Sequence, residues 1–175
     1  LAGLLEAIQR CVYFLEASDR KHQWPLVAED LAKNKKNVAL FESLAAINER
    51  FAKLQDTLGS AMRHAALLAG EAQDTFLKIM VFYEKVGVVH SVAMWQFCRT
   101  TRNLAAHDYE TDYAEIARHF NALHTLIPEL YGNAIRFLDY CQGNLGILPV
   151  HGYFSDEFAA IAGAQAALEA GDAGV

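Results

Sequence analysis

The chain has 175 residues, of which 53% are hydrophobic and 21% charged, and its formal net charge is −6. That length can bury one real core without disulfides or a structural metal. The acidic balance argues against a broad, sequence-blind nucleic-acid surface but leaves room for a small local phosphate site. No run approaches the roughly 18 apolar residues needed to cross a bilayer, so no membrane partner is expected.

Residues 4–15 place Leu4, Leu5, Ile8, Cys11, Val12 and Leu15 at helical spacing, which predicts a helix over 2–17. Residues 18–37 are polar and mixed, with Trp24-Pro25 inside and a basic cluster at Lys33, Lys35 and Lys36; they read as a loop with one short helical turn around 26–33. A charged loop of this kind is usually solvated, although the cluster could also touch RNA or a partner. Phe41, Leu44, Phe51, Leu54, Leu58, Met62 and Ala65 then recur three and four apart, with Ile47 or Asn48 filling one wider step. They predict a helix over 38–69, stopped near Gly70. Gly59 inside it costs about 1 kcal/mol against alanine and marks close packing or a slight bend.

Asp74 is the expected N-cap of a helix over 75–86, with Phe76, Ile79, Met80 and Tyr83 on one face and Gly87 at its end. Ser91 caps the next helix, 92–107. Asp112, with Glu115 three later, has the form of a capping box and opens the last long helix. There Ile116, Phe120, Leu123, Ile127, Leu130, Ala134, Phe137 and Cys141 make the apolar stripe, Pro128 predicts a kink, and Gly143 and Gly146 stop the helix. The tail carries Phe158, Ile161 and Leu168 on one face of an alanine-rich segment and reads as a short docked helix. No strand pattern is present, so the expected fold is an all-α, up-and-down bundle of four to five helices over 1–142 with a tail, 143–175. The tail has four carboxylates and no lysine or arginine, so the remainder carries only −2.

Chemistry gathers at Arg102-Asn103-Leu104-Ala105-Ala106-His107, followed by Asp108 and Tyr109: the pattern Arg-x4-His-x-Tyr. On a helix Asn103 and His107 share a face, and Arg99 joins the side of Arg102 and Asn103. Histidine titrates near neutrality and can act as base or acid. Arginine stays charged and grips phosphate oxygens bidentately. Such a set could cleave RNA without a metal, given a base for the ribose 2′-OH, an acid for the leaving oxygen and a cation at the phosphorane. One motif offers one such histidine, and a two-fold dimer would supply two. A plainer reading makes Arg102 a salt-bridge partner of Asp108, Asp112 or Glu115, His107 a dipole-favoured helix-end histidine, and Tyr109 a core aromatic. Gln55 and Asp56 follow Leu54 on the long helix; the carboxylate could orient Arg102 or His107, or simply flank the seam.

Other chemistries find less. His119 and His124 are five apart, which misses the i, i+4 spacing of a helical zinc pair. No metal or cofactor is expected; His119 should face solvent and His124 should adjoin the core. No Gly-rich phosphate loop and no Gly-x-Ser-x-Gly elbow occur. Cys11, Cys98 and Cys141 are odd in number and widely spaced, which fits buried thiols in a reducing, cytoplasmic setting. Arg99 beside Cys98 could lower its pKa, but burial among Trp95 and Phe97 favours an inert thiol.

The combination of Trp95, Arg102-Asn103 and His107-Asp108-Tyr109 in an all-helical chain resembles the HEPN superfamily, whose signature is Arg-x4–6-His with a polar residue after the arginine. The added tyrosine is similar to HepT-type toxins and related nucleotidyltransferase-partner proteins. The resemblance spans roughly residues 1–141. It implies a small bundle, homodimeric, with its motifs at the dimer cleft. It also implies a metal-independent endoribonuclease with Arg102 and His107 as the catalytic pair and Asn103 supporting, Arg99 a candidate for binding. Tyr109 would be the residue that a nucleotidyltransferase of the MNT type modifies with AMP to silence the toxin. The alternative within the same resemblance is a non-catalytic, substrate-binding or antitoxin-like partner of a nucleotidyltransferase. Residues 60–124 hold six Lys/Arg against seven Asp/Glu, so no basic RNA track is visible in the sequence.

Overall fold

Every apolar stripe in the sequence is of helical period, and the computed structural model, which describes residues 1–71, 75–103 and 112–172, is built of helices: seven, with no strand among the described residues. Helix α1 (Ala2–Asp19) turns Leu5, Ile8, Val12 and Leu15 inward. The following loop is firmly held. Trp24 stacks on His124 with ring centroids 4.3 Å apart, and Asn121 exchanges two hydrogen bonds with the backbone of Leu26. Helix α2 (Ala28–Lys33) is the short helical turn expected near 26–33. In the basic cluster Lys33 is exposed and pairs with Asp30 at 3.2 Å.

Helix α3 (Val38–Leu68) is the spine. The Asn37 side chain accepts from Leu40 N–H and caps it. Its core stripe is Leu44, Ile47, Phe51, Leu54, Leu58, Met62 and Ala65, with Ile47 filling the wide step and Phe41 only half-buried. Gly70 closes the end in the left-handed region, φ +77°. Helices α1, α4, α5 and α6 all pack on α3.

Helix α4 (Phe76–Lys85) is capped by Thr75, whose hydroxyl accepts from Lys78 N–H; the expected cap, Asp74, lies outside the described residues. Tyr83 is buried and donates its hydroxyl to the Met62 carbonyl at 3.0 Å, which ties α4 to α3. Helix α5 (Val92–Asn103) begins as expected, with Ser91 Oγ accepting from Met94 N–H. Trp95, Cys98 and Thr101 face the core.

Helix α6 (Tyr113–Leu145) starts at Asp112, which accepts from Ala114 N–H. The capping box is only half made, because the Glu115 carboxylate pairs with Arg118 instead. The helix runs through Pro128 and through Gly143, and it is Gly146, at φ +65°, that ends it. His124 sits where expected, against the core edge, with Nδ1 2.8 Å from Asp19. His119 departs from expectation: it is half-buried, 3.4 Å from Asn48 and edge-on to Phe120.

The tail helix, α7 (Ser155–Asp172), is longer than the sequence suggested and packs on α1 and α6. Phe158 is its buried anchor. The Glu6 carboxylate on α1 accepts three backbone N–H groups just ahead of α7, from His151 (3.1 Å), Gly152 (2.8 Å) and Tyr153 (2.9 Å). Among the described residues no helix is long and apolar enough to cross a membrane.

Candidate functional site: an arginine-lined groove

Two helical stripes meet across the seam between α3 and α5. Asp56, Ser60 and Arg63 stand four and three apart on α3; Trp95, Arg99 and Arg102 stand four and three apart on α5. The helices run in opposite directions here. Arg102 reaches Ala52 and Asp56, whereas Trp95 lies beside Gln55 and Gly59. Between the stripes lies a groove of about 220 Å³, closed at one end by Phe76 of α4.

Arg102 is the most constrained side chain in it. Nη1 donates to the Ala52 carbonyl at 2.6 Å and Nη2 to Asp56 Oδ1 at 2.7 Å. Arg102 is only 10% exposed, while Asp56 is 66% exposed. The guanidinium is thus embedded in the wall and the carboxylate lies over it from the solvent side. Of the salt-bridge partners that chain proximity suggested, Asp112 caps α6 and Glu115 pairs with Arg118, while Asp108 lies outside the described residues. Asp56 takes the role that its position beside the seam had left open.

The groove floor is polar and incompletely paired. Gln55, buried, donates Nε2–H to the Trp95 carbonyl at 2.8 Å. Its Oε1 has no hydrogen-bond partner among the described residues, and neither has Arg102 Nε. Unpaired buried polar atoms are costly, and they concentrate where a ligand or water completes the set. Gly59 gives the floor its depth: a Cβ there would lie 3.2 Å from the Phe76 ring and 3.7 Å from Trp95. At the far end the Arg63 guanidinium lies over the Phe76 ring, 4.6 Å from its centroid. Arg63 and Arg99 are both exposed and have no carboxylate partner among the described residues.

Of the residues singled out in the sequence, Arg99 and Arg102 come together in this groove. Asn103 is exposed at the end of α5 and does not line it. His107 and Tyr109 lie outside the described residues. Cys98 is buried on the core side of α5, and burial, with Glu129 nearby, pushes its thiol up to about 12. The adjacent Arg99 therefore does not activate it. Burial likewise pushes Cys141 up to about 12. Sequence reasoning missed Arg63, Phe76 and Ser60. Their one signal was the polar stripe 56–60–63 beside the apolar stripe of α3, which has no meaning until α5 is laid across it.

No protein-family model matches the chain, and no curated protein and no solved structure matches it.

Proposed function

We propose that this protein is a metal-independent endoribonuclease of the HEPN type, a toxin held in check by an MNT-type nucleotidyltransferase that modifies Tyr109 with AMP. The observation that carries this reading is Arg102, embedded in the groove wall by Ala52 and Asp56 and joined there by two further arginines. Three guanidiniums face one carboxylate at this spot, on a chain whose net charge is −6. Local positive charge of that kind is what a phosphodiester needs to enter an acidic protein. In the reaction His107 takes the proton from a ribose 2′-OH, and that oxygen attacks the adjacent phosphorus. Arg102 bears the charge that develops on the phosphoryl oxygens. The 5′-oxygen leaves as an alcohol, its proton supplied by an imidazolium, for which a second copy's His107 is the candidate in a two-fold dimer. The products are a 2′,3′-cyclic phosphate and a 5′-hydroxyl.

A second reading, a non-catalytic binding partner of a nucleotidyltransferase, is favoured by one feature: Asp56 already occupies the outward side of Arg102. The test is cleavage of RNA by purified protein in EDTA, beside Arg102→Ala and His107→Ala. Wild-type cleavage leaving cyclic phosphate ends, lost by about a hundredfold or more in either variant, is the expected result. Equal cleavage by all three rejects the catalytic pair. No cleavage by folded protein with unmodified Tyr109 selects the second reading.

A further inference from the structure

The motif accounts for Arg102 and leaves the rest of the groove without a role. Arg63 and Arg99 are exposed cations with no carboxylate partner among the described residues, on opposite walls of one cleft. Two exposed guanidiniums that face a common space have the planar donor forks with which arginine grips the oxygens of an anion. The floor beneath them has a buried acceptor, Gln55 Oε1, and a buried donor, Arg102 Nε, both unpaired among the described residues. The far end offers an aromatic platform in which the Arg63 guanidinium already lies on Phe76. Asp56 and Arg63 are seven residues apart on α3, about 10 Å along the helix axis, so the groove extends well beyond Arg102.

We propose that the groove end formed by Arg63, Arg99 and Phe76 is a strand-binding subsite for single-stranded RNA, holding the phosphate and unstacked base next to the phosphodiester at Arg102. This deepens the ribonuclease reading and rests on it for the direction of the strand. Arg99 and Arg63 take the non-bridging phosphate oxygens. The outer face of the Arg63 guanidinium, backed by Phe76, stacks a base, as planar guanidiniums and rings do for unpaired nucleotides. A groove between two helices, with its cations on facing walls, suits one phosphate and one splayed base better than the broad face of a duplex. The sequence shows no basic track because the cations come from two helices 36 residues apart in the chain, Arg63 and Arg99, and meet only in the fold.

The test is binding, kept separate from cleavage. A fluorescein-labelled 2′-O-methyl oligoribonucleotide, which lacks the attacking hydroxyl, is titrated by anisotropy over a range of salt. Arg63→Gln and Arg99→Gln, at exposed positions, are expected to weaken binding about fivefold or more and to lower the salt slope by about one unit each. Phe76→Leu is expected to weaken binding with the salt slope unchanged, because it removes the ring that holds the Arg63 guanidinium in place for stacking and removes no charge. Unchanged affinity and slope in both arginine variants overturns the proposal, as does failure of the wild type to bind the strand. Equal affinity for duplex RNA overturns the single-strand assignment, and Arg63-dependent binding of ATP without strand binding assigns the cleft to a mononucleotide instead. Arg63-dependent binding in a protein that never cleaves RNA keeps the subsite and removes the ribonuclease reading. Cleavage that depends on Arg102 and His107, with no role for Arg63 or Arg99, does the reverse.

Discussion

Arg102 has two partners of very different depth. The Ala52 carbonyl lies in the wall and the Asp56 carboxylate lies at the surface, 66% exposed. A charge-assisted bond in a nearly buried setting is worth more than an ion pair screened by solvent. Arg102→Ala is therefore expected to lower unfolding stability by about 2 kcal/mol in urea, and Asp56→Ala by less than about 1 kcal/mol. A larger loss in the aspartate variant would mean that the carboxylate, not the carbonyl, anchors the arginine. The same contrast bounds what was legible in the sequence. The Arg-x4-His spacing pointed to Arg102 and Arg99, since helical spacing alone puts them on one side. Asp56 was visible only as a candidate, because a contact across 46 residues depends on how two helices cross. Arg63 and Phe76 were not visible at all, since an exposed arginine and a helix-start aromatic look ordinary until a third helix closes the cleft.

Helices and their caps followed local rules that a sequence displays. Asn37, Ser91, Asp112 and Gly146 end or begin elements where their chemistry says they should. The errors were where two local signals competed. Glu115 gave its carboxylate to Arg118 rather than to a cap, and Gly143 stayed helical because no turn was needed until Gly146. The tail helix was underestimated because its alanines carry little periodic signal, whereas its docking depends on Glu6, far away in the chain. Desolvation works against ionising Glu6, but the three N–H donors from His151, Gly152 and Tyr153, with the His151 charge, outweigh it and hold the carboxyl below its usual 4.5. A folded pKa below the unfolded one means that the docking contribution is fully present above about pH 4.5. It is lost only as pH falls through the folded value. Limited proteolysis should find residues 147–154 protected at neutral pH in the wild type and cut faster in Glu6→Ala. Acidification through the folded value, which lies below 4.5, should reproduce that exposure in the wild type and change the variant little. Equal cutting of both proteins at neutral pH would remove Glu6 from the docking.

At the scale of the whole molecule, the proposed ribonuclease reading poses the puzzle of a single histidine. In-line cleavage needs a base on one side of the phosphorus and an acid on the other, and each chain's motif supplies one His107. The resemblance to HEPN proteins implies two copies with their motifs at a shared cleft, and a chain of 19.4 kDa would then run in light scattering at twice that mass. Mass alone does not place the motifs together, and subunit mixing does. If base and acid are the His107 side chains of the two copies, a mixed dimer of wild type with His107→Ala lacks one of them and is inactive. Random pairing of equal amounts leaves a quarter of the dimers wild type, so the co-refolded mixture should show about a quarter of the cleavage of the same total amount of wild type. If each site draws its residues from one chain, every mixed dimer keeps one of its two sites and the mixture shows about half. A quarter after co-refolding, and half when the two proteins are combined without subunit exchange, would place the catalytic centre between subunits. About half in a mixture shown to contain mixed dimers would place it within one.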